Sequence, residues 1–315
     1  MSIDLGHHPP IVWGGFTALV AVLLVLDLFV LNRRAEPLTM RKAAQWFAGL
    51  VVIALLFGLF LLRREGHRAM LEYYTGYLVE LSLSVDNLFV FILLFQYFAV
   101  PAALQPQALK WGILGALVMR AAMILAGALL LQRFEWITWV FGAVLIFTGW
   151  KMLTRTEERI DPEKNPLLRL ARRVLPVSES YENGRFLVRG LRGWRVTPLV
   201  LVLITIEWTD LVFAIDSIPA VFAVTRDPFI VYSSNVFAIL GLRALFFLIA
   251  GLLDKFRHLK TGVAVILLFV GAKMAASGVI HVPIGLSLGV IVGTLAAAVL
   301  LSLRPAAAPP ADPAA

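Results

Sequence analysis

Five carboxylates stand in two segments that are otherwise apolar. One reads Glu80-Leu-Ser-Leu-Ser-Val-Asp86-Asn87, the other Glu207-Trp-Thr-Asp210-Leu-Val-Phe-Ala-Ile-Asp216-Ser217. In each, two carboxylates lie six residues apart (Glu80 and Asp86, Asp210 and Asp216) and a small polar residue follows the second. Carboxylate, amide and hydroxyl oxygens are hard donors, suited to Mg²⁺, Ca²⁺ or Mn²⁺. Zinc or copper would call for histidine or cysteine. The chain has no cysteine, and its five histidines, His7, His8, His67, His258 and His281, lie near the ends of apolar runs or outside them.

Arg120 and Arg243 lie in apolar runs as well. A charge at the centre of a membrane helix costs about 2.5–3.5 kcal/mol on insertion scales, so seven would cost roughly 20 kcal/mol. They must be paired, hydrated or bound to an ion. Two guanidiniums cannot neutralise five carboxylates, and Asp27 in the first apolar run adds a sixth. A purely structural network should be closer to balance, so the acidic excess suits a cation, taken up as metal or as protons. Neutralising carboxylates is a sufficient role for the two arginines themselves.

On a continuous helix Glu207, Asp210 and Ser217 share one face, and Glu80 and Asn87 are one heptad apart. Asp86 and Asp216 then point elsewhere. Pro219 removes a backbone donor, and a helix broken there would turn Asp216 and nearby carbonyls into one cavity. Asn235 is either a further ligand or one partner of an interhelical hydrogen bond.

The elements that must carry these residues are membrane helices. Of the 315 residues 60% are hydrophobic and 15% charged, with mean hydropathy +0.86. A soluble domain carries about 25% charged residues. Nine apolar spans are expected, at 11–31, 43–62, 71–98, 109–132, 135–153, 198–223, 229–252, 259–279 and 283–303. The expected fold is therefore all-α and polytopic. Its parts are an N-terminal membrane part (1–153), a basic loop (154–197), a C-terminal membrane part (198–303) and a disordered Ala/Pro-rich tail (304–315). The first run is too long for a cleaved signal and reads as a retained helix.

The loop carries ten basic residues against six acidic ones. It reads as a surface linker with an amphipathic stretch around Leu167 to Leu175, touching anionic lipid. Together with Arg33, Arg34, Arg41, Lys42, Lys255, Arg257 and Lys260, it places one side of the chain in the cytoplasm by the positive-inside rule. The expected setting is the inner (plasma) membrane, N-terminus outside and C-terminus inside.

The two acidic segments begin an internal repeat. Arg120 matches Arg243, and Gly149-Trp-Lys151 matches Gly271-Ala-Lys273, with Arg-to-Lys separations of 31 and 30 residues. Each copy (71–153 and 198–279) holds three spans, so the second enters from the opposite face. Inverted repeats of this kind recur in secondary transporters, with the site near the midplane.

Other classes find little support. The net charge of +8 sits at span ends rather than on a nucleic-acid-binding face. Ser82, Ser84 and Ser217 have no nearby histidine, and no HExxH, phosphate loop or GxSxG is present, so no enzyme and no cofactor are expected.

The two acidic segments, with the continuation from Asn235 to Arg243, resemble the signature segments of the TerC family. The likeness covers about residues 10–300. It implies an integral membrane protein of a family first named for tellurium resistance, with members, the Alx type among them, associated with manganese export. It also implies that Glu80, Asp86, Asn87, Glu207, Asp210, Asp216 and Ser217 handle the ion, and the sequence departs from the pattern at none of them. A carboxylate-rich site would repel tellurite. The combined reading is export of a hard divalent cation, Mn²⁺ first, in exchange for protons. The alternative is a membrane scaffold, insertion or metalation factor linked to tellurite or metal stress.

Overall fold

Proline and glycine punctuate the chain. Pro10, Pro166, Pro198 and Pro228 each occupy the first position of a helix, where a missing N–H costs nothing. Gly66, at φ 93°, ends one helix and immediately precedes the next. The computed structural model describes residues 8–27, 39–134, 136–154, 165–190, 193–250, 258–276 and 282–303, without the side chains of residues 86 and 183. The 304–315 tail and the end of the expected first span lie outside these residues.

The described helices are α1 (Pro10–Val25), α2 (Met40–Glu65), α3 (His67–Tyr97), α4 (Gln105–Arg133), α5 (Ile137–Thr154), α6 (Pro166–Val174), α7 (Pro198–Phe222), α8 (Pro228–Leu240), α9 (Leu242–Ala250), α10 (Leu259–Ala275) and α11 (Ile284–Leu303). Strands β1 (Leu187–Gly190) and β2 (Gly193–Val196) form a small antiparallel hairpin. The fold is helical and polytopic. Helices α2, α3, α4, α5, α7 and α11 are each long and apolar enough to cross a membrane. The pair α8–α9, bent by 42°, would make a seventh crossing. Every expected span coincides with a helix, but α1 and α10 have only 16 and 17 residues. Among the described residues, length and composition alone support six or seven crossings against the nine expected, and the chain shortly beyond α1 and α10 lies outside them.

Two local expectations change. The chain does not break at Pro219, because α7 continues to Phe222. The proline sits close to the helix end, and the Ala223 N–H still reaches the Pro219 carbonyl at 2.9 Å. The break falls instead within the expected 229–252 span, at Gly241, where a Cβ would meet the Phe47 ring of α2 at 3.1 Å.

Helix α3 lies at the centre, packed by α2, α7, α8 and α11, while α4 packs on α7 and α8. An aromatic core of Phe16, Phe57, Tyr73, Phe229 and Phe237 joins α1, α2, α3 and α8. Outward apolar side chains such as Leu56, Phe147 and Val118 remain exposed, as a lipid-facing surface requires. The basic segment is docked at one end of the bundle. Helix α6 buries Leu168 and Ala171 beside Leu201 of α7 and leaves Arg169, Arg172 and Arg173 exposed. Tyr181 donates to the Phe98 carbonyl (2.6 Å), and the Gln107 amide donates to the Gly184 carbonyl (2.7 Å). Burial raises the Tyr181 phenol above its ordinary value, so it stays a donor at neutral pH.

The paired glycines of the repeat motif have a packing role. Helices α5 and α10 approach backbone to backbone. A Cβ at Gly271 would meet the Ile146 nitrogen at 2.9 Å, and one at Gly149 the Ala264 carbonyl at 2.9 Å. Backbone cannot give way as a side chain can. Gly271→Ala should therefore destabilise the protein by about 1–3 kcal/mol through overpacking. Gly289→Ala, with nothing within 4 Å, should not. Thermal unfolding in detergent distinguishes the two, and equal melting would contradict this account of the crossing.

Candidate ion site between α3, α4, α7 and α8

Close approach of α4 to α7 creates the site. At Gly115 any side chain would run into the Glu207 carboxylate, and at Gly112 a Cβ would meet Ile206 at 3.0 Å. With these glycines facing α7, Arg120 reaches into the space shared by α3, α7 and α8. Its Nε and Nη2 donate to the two carboxylate oxygens of Asp210 at 3.2 and 3.0 Å, a fork-on-carboxylate pairing. Its Nη1 donates to Glu80 of α3 and lies 3.4 Å from the Ser217 hydroxyl. Asn235 of α8 donates to the other Glu80 oxygen at 2.8 Å. Glu80 is fully buried, and Arg120, Asp210, Ser217 and Asn235 are each at most 3% exposed.

Of the residues singled out in the sequence, Glu80, Asp210, Ser217, Asn235 and Arg120 meet here. Asn87 is buried on the Glu80 face of α3, one heptad along. Glu207 is half-buried one turn from Asp210, against Gly115, and makes no side-chain hydrogen bond or ion pair among the described residues. Asp216 is half-buried on another face of α7, since the helix is not broken before it. Asp86 lies on α3, and its side chain is outside the described residues.

Asp27 and Arg243 form a separate buried pair. Arg243 Nη1 lies 3.6 Å from Asp27 Oδ2 and 3.4 Å from the Asp27 carbonyl. Arg243 therefore does not balance the α3–α7 carboxylates. Arg120 faces Glu80 and Asp210, with Glu207 a turn away, and the local excess is negative. Two further oxygens, Ser84 Oγ one turn beyond Glu80 and Asn235 Oδ1, are buried without a hydrogen-bond partner among the described residues. The arrangement is a buried guanidinium paired with two carboxylates, with a third carboxylate a turn along α7 and two unpartnered oxygens on the flanking helices.

The sequence reading passed over a second cluster. His8, Glu65 and Asp227 each bring one ligand-type atom within 4.8 Å of the others, in a cleft near the start of α3. The aromatic contact of His8 with Phe229 was the missing signal, and it is not visible in spacing because 219 residues separate His8 from Asp227.

Fold and buried acidic centre together define a polytopic helical membrane protein. The chain belongs to the integral membrane protein TerC family, whose model matches residues 65–308. It is 48% identical to "Putative membrane-bound redox modulator Alx" of Escherichia coli (strain K12), over 91% of this chain and 92% of that one. It is 45% identical to "Uncharacterized membrane protein STKORF319" of Myxococcus xanthus, over 93% and 92% of the two chains. It is 38% identical to "Uncharacterized membrane protein" of Rickettsia bellii (strain RML369-C), over 92% and 96%. No solved structure matches.

Removing Arg120 would leave two buried carboxylates facing one another. Arg120→Met should cost about 3–5 kcal/mol, the penalty for breaking a buried ion pair from one side. Adding Glu80→Gln and Asp210→Asn should recover most of that loss in thermal unfolding. A single variant as stable as wild type would contradict the pairing.

Proposed function

We propose that the protein exports a hard divalent cation, Mn²⁺ first among candidates, through the carboxylate centre between α3 and α7. The observation that carries this reading is the surplus of acidic oxygen near one guanidinium: buried Glu80 and Asp210 and half-buried Glu207 against Arg120, with Ser84 Oγ and Asn235 Oδ1 buried and without a hydrogen-bond partner among the described residues. Intramembrane charge is retained where it serves a pathway, and an all-oxygen set favours Mn²⁺, Mg²⁺ or Ca²⁺ over zinc or copper.

An inverted-repeat transporter is supported by how the helices choose neighbours. Helix α3 packs on α8 as α7 packs on α4, and α5 packs on α10. Exchanging the triplet α3, α4, α5 for α7, α8–α9, α10 turns each pairing into another of the set. The cation would shed part of its water onto Glu80, Asp210 and Glu207, with Asp86, Asn87, Asp216 and Ser217 along its route. Rocking of one triplet against the other would then expose it outside. Protons are the proposed counter-substrate, because a carboxylate that releases metal can take up a proton. The same reading puts the protein in the inner membrane with its N-terminus outside. A relative named as a redox modulator is compatible with it, since removing a redox-active metal from the cytoplasm shifts redox balance.

The test is cytoplasmic manganese by elemental analysis in cells lacking the gene and complemented. Wild type should lower manganese, and Glu207→Gln should not. If both lower it equally, or neither changes it, export through these carboxylates fails and a scaffold or metalation role takes its place.

A further inference from the structure

We infer that His8, Glu65 and Asp227 form a second metal site, for a divalent first-row transition ion, at the end of the bundle opposite the basic segment. This goes beyond the transport reading and does not depend on it. The three residues come from the segment before α1, the end of α2 and the start of α8. Tyr181 and Gln107 tie the basic segment to the other ends of α3 and α4. Helix α3, 31 residues or about 46 Å long, separates the two ends.

The imidazole is fixed before any ion arrives. Its side chain is 5% exposed, and its ring lies 4.5 Å from that of Phe229. Nδ1 is 3.2 Å from Glu65 Oε1 and Nε2 is 2.9 Å from Asp227 Oδ2. An imidazole with one N–H can donate to only one of two carboxylates. In that neutral form the other nitrogen is a free lone pair beside a carboxylate, and the ligand-type atoms, all within 4.8 Å of one another, offer a place for a cation. Tetrahedral coordination at zinc-like bond lengths brings ligand atoms to about 3.4 Å apart; Glu65 and Asp227 sit on different ring nitrogens, so one of them swings to the other's nitrogen to close the set on a single ion.

Asp227 divides its oxygens in a way that suits a ligand. Oδ1 accepts from the Phe229 and Ile230 amides and caps α8, which leaves Oδ2 for the cluster. The site opens onto a cleft of about 440 Å³ also lined by Arg64, Arg68 and Glu72, with room for water to complete the coordination. Glu72 is already held by Arg68 (2.8 Å) and the Thr225 hydroxyl (2.6 Å), so it is not counted as a ligand. One imidazole with two carboxylates suits Mn²⁺, Fe²⁺ or Zn²⁺ and disfavours Mg²⁺ and Ca²⁺. Arg64 and Arg68 on the rim weaken the retention of a cation.

The experiment uses the full chain in detergent, with Zn²⁺ in calorimetry and Mn²⁺ in pulsed EPR. Wild type should bind Zn²⁺ and show ¹⁴N coupling from an imidazole to Mn²⁺. His8→Ala should abolish the coupling and weaken Zn²⁺ by more than about tenfold, the least that loss of a ligand should cost. Asp227→Asn keeps an oxygen to cap α8 but should weaken Zn²⁺ similarly, with unchanged melting. Glu207→Gln should leave the nitrogen coupling intact, which separates this site from the intramembrane one. No ¹⁴N coupling in wild type, or unchanged affinity in His8→Ala, would overturn the proposal and leave His8 as a hydrogen-bonded staple of α2 to α8.

Discussion

A guanidinium that can neither leave the bundle nor be deprotonated sets the terms for everything around it. Arg120 is 2% exposed, and arginine stays charged in proteins. Two carboxylates from different helices must therefore come to it. Asp210 meets it with both oxygens, and Glu80 takes the remaining nitrogen. That demand fixes where α3, α4 and α7 cross, and it explains small residues such as Gly112 and Gly115 on the α4 face. Once the pairing is made, acidic oxygen is left over, and this surplus rather than the pair itself gives the centre its cation character.

The two arginines that the expected repeat matches to one another have different partners. Arg120 and Arg243 occupy matching positions, yet Arg243 turns to Asp27 at the end of α1. The helix carrying Arg243 is also the one that bends, at Gly241, whereas its counterpart α4 runs unbroken for 29 residues. Arg120 holds the centre's counter-charge, and Arg243 pairs with a residue just beyond α1.

Much of this was legible from residue types. Apolar runs gave the helices within a few residues, because a membrane leaves the backbone little alternative. The heptad spacing of Asp210 and Ser217, and of Glu80 and Asn87, placed each pair on one face. What periodicity cannot carry is which helix meets which. Hence Arg243 was counted toward the wrong carboxylates, and His8 was set aside with the other histidines near or outside the ends of apolar runs although Phe229 and Asp227 receive it. Pro219 misled for a simpler reason: near a helix end a proline costs one hydrogen bond and does not force a break. The hairpin of β1 and β2 was missed because four-residue strands within a basic loop carry too little alternation to stand out.

The central claim is that the acidic surplus beside Arg120 moves a cation. It is tested most directly by Mn²⁺ flux into proteoliposomes under an imposed pH gradient, comparing wild type with Glu207→Gln. Glu207 adds to the surplus without joining the Arg120 pairing, so the variant should fold. The account predicts Mn²⁺ flux in wild type that collapses with the proton gradient and is strongly reduced in Glu207→Gln. Absence of flux in folded wild type, or flux undiminished in the variant, would contradict it.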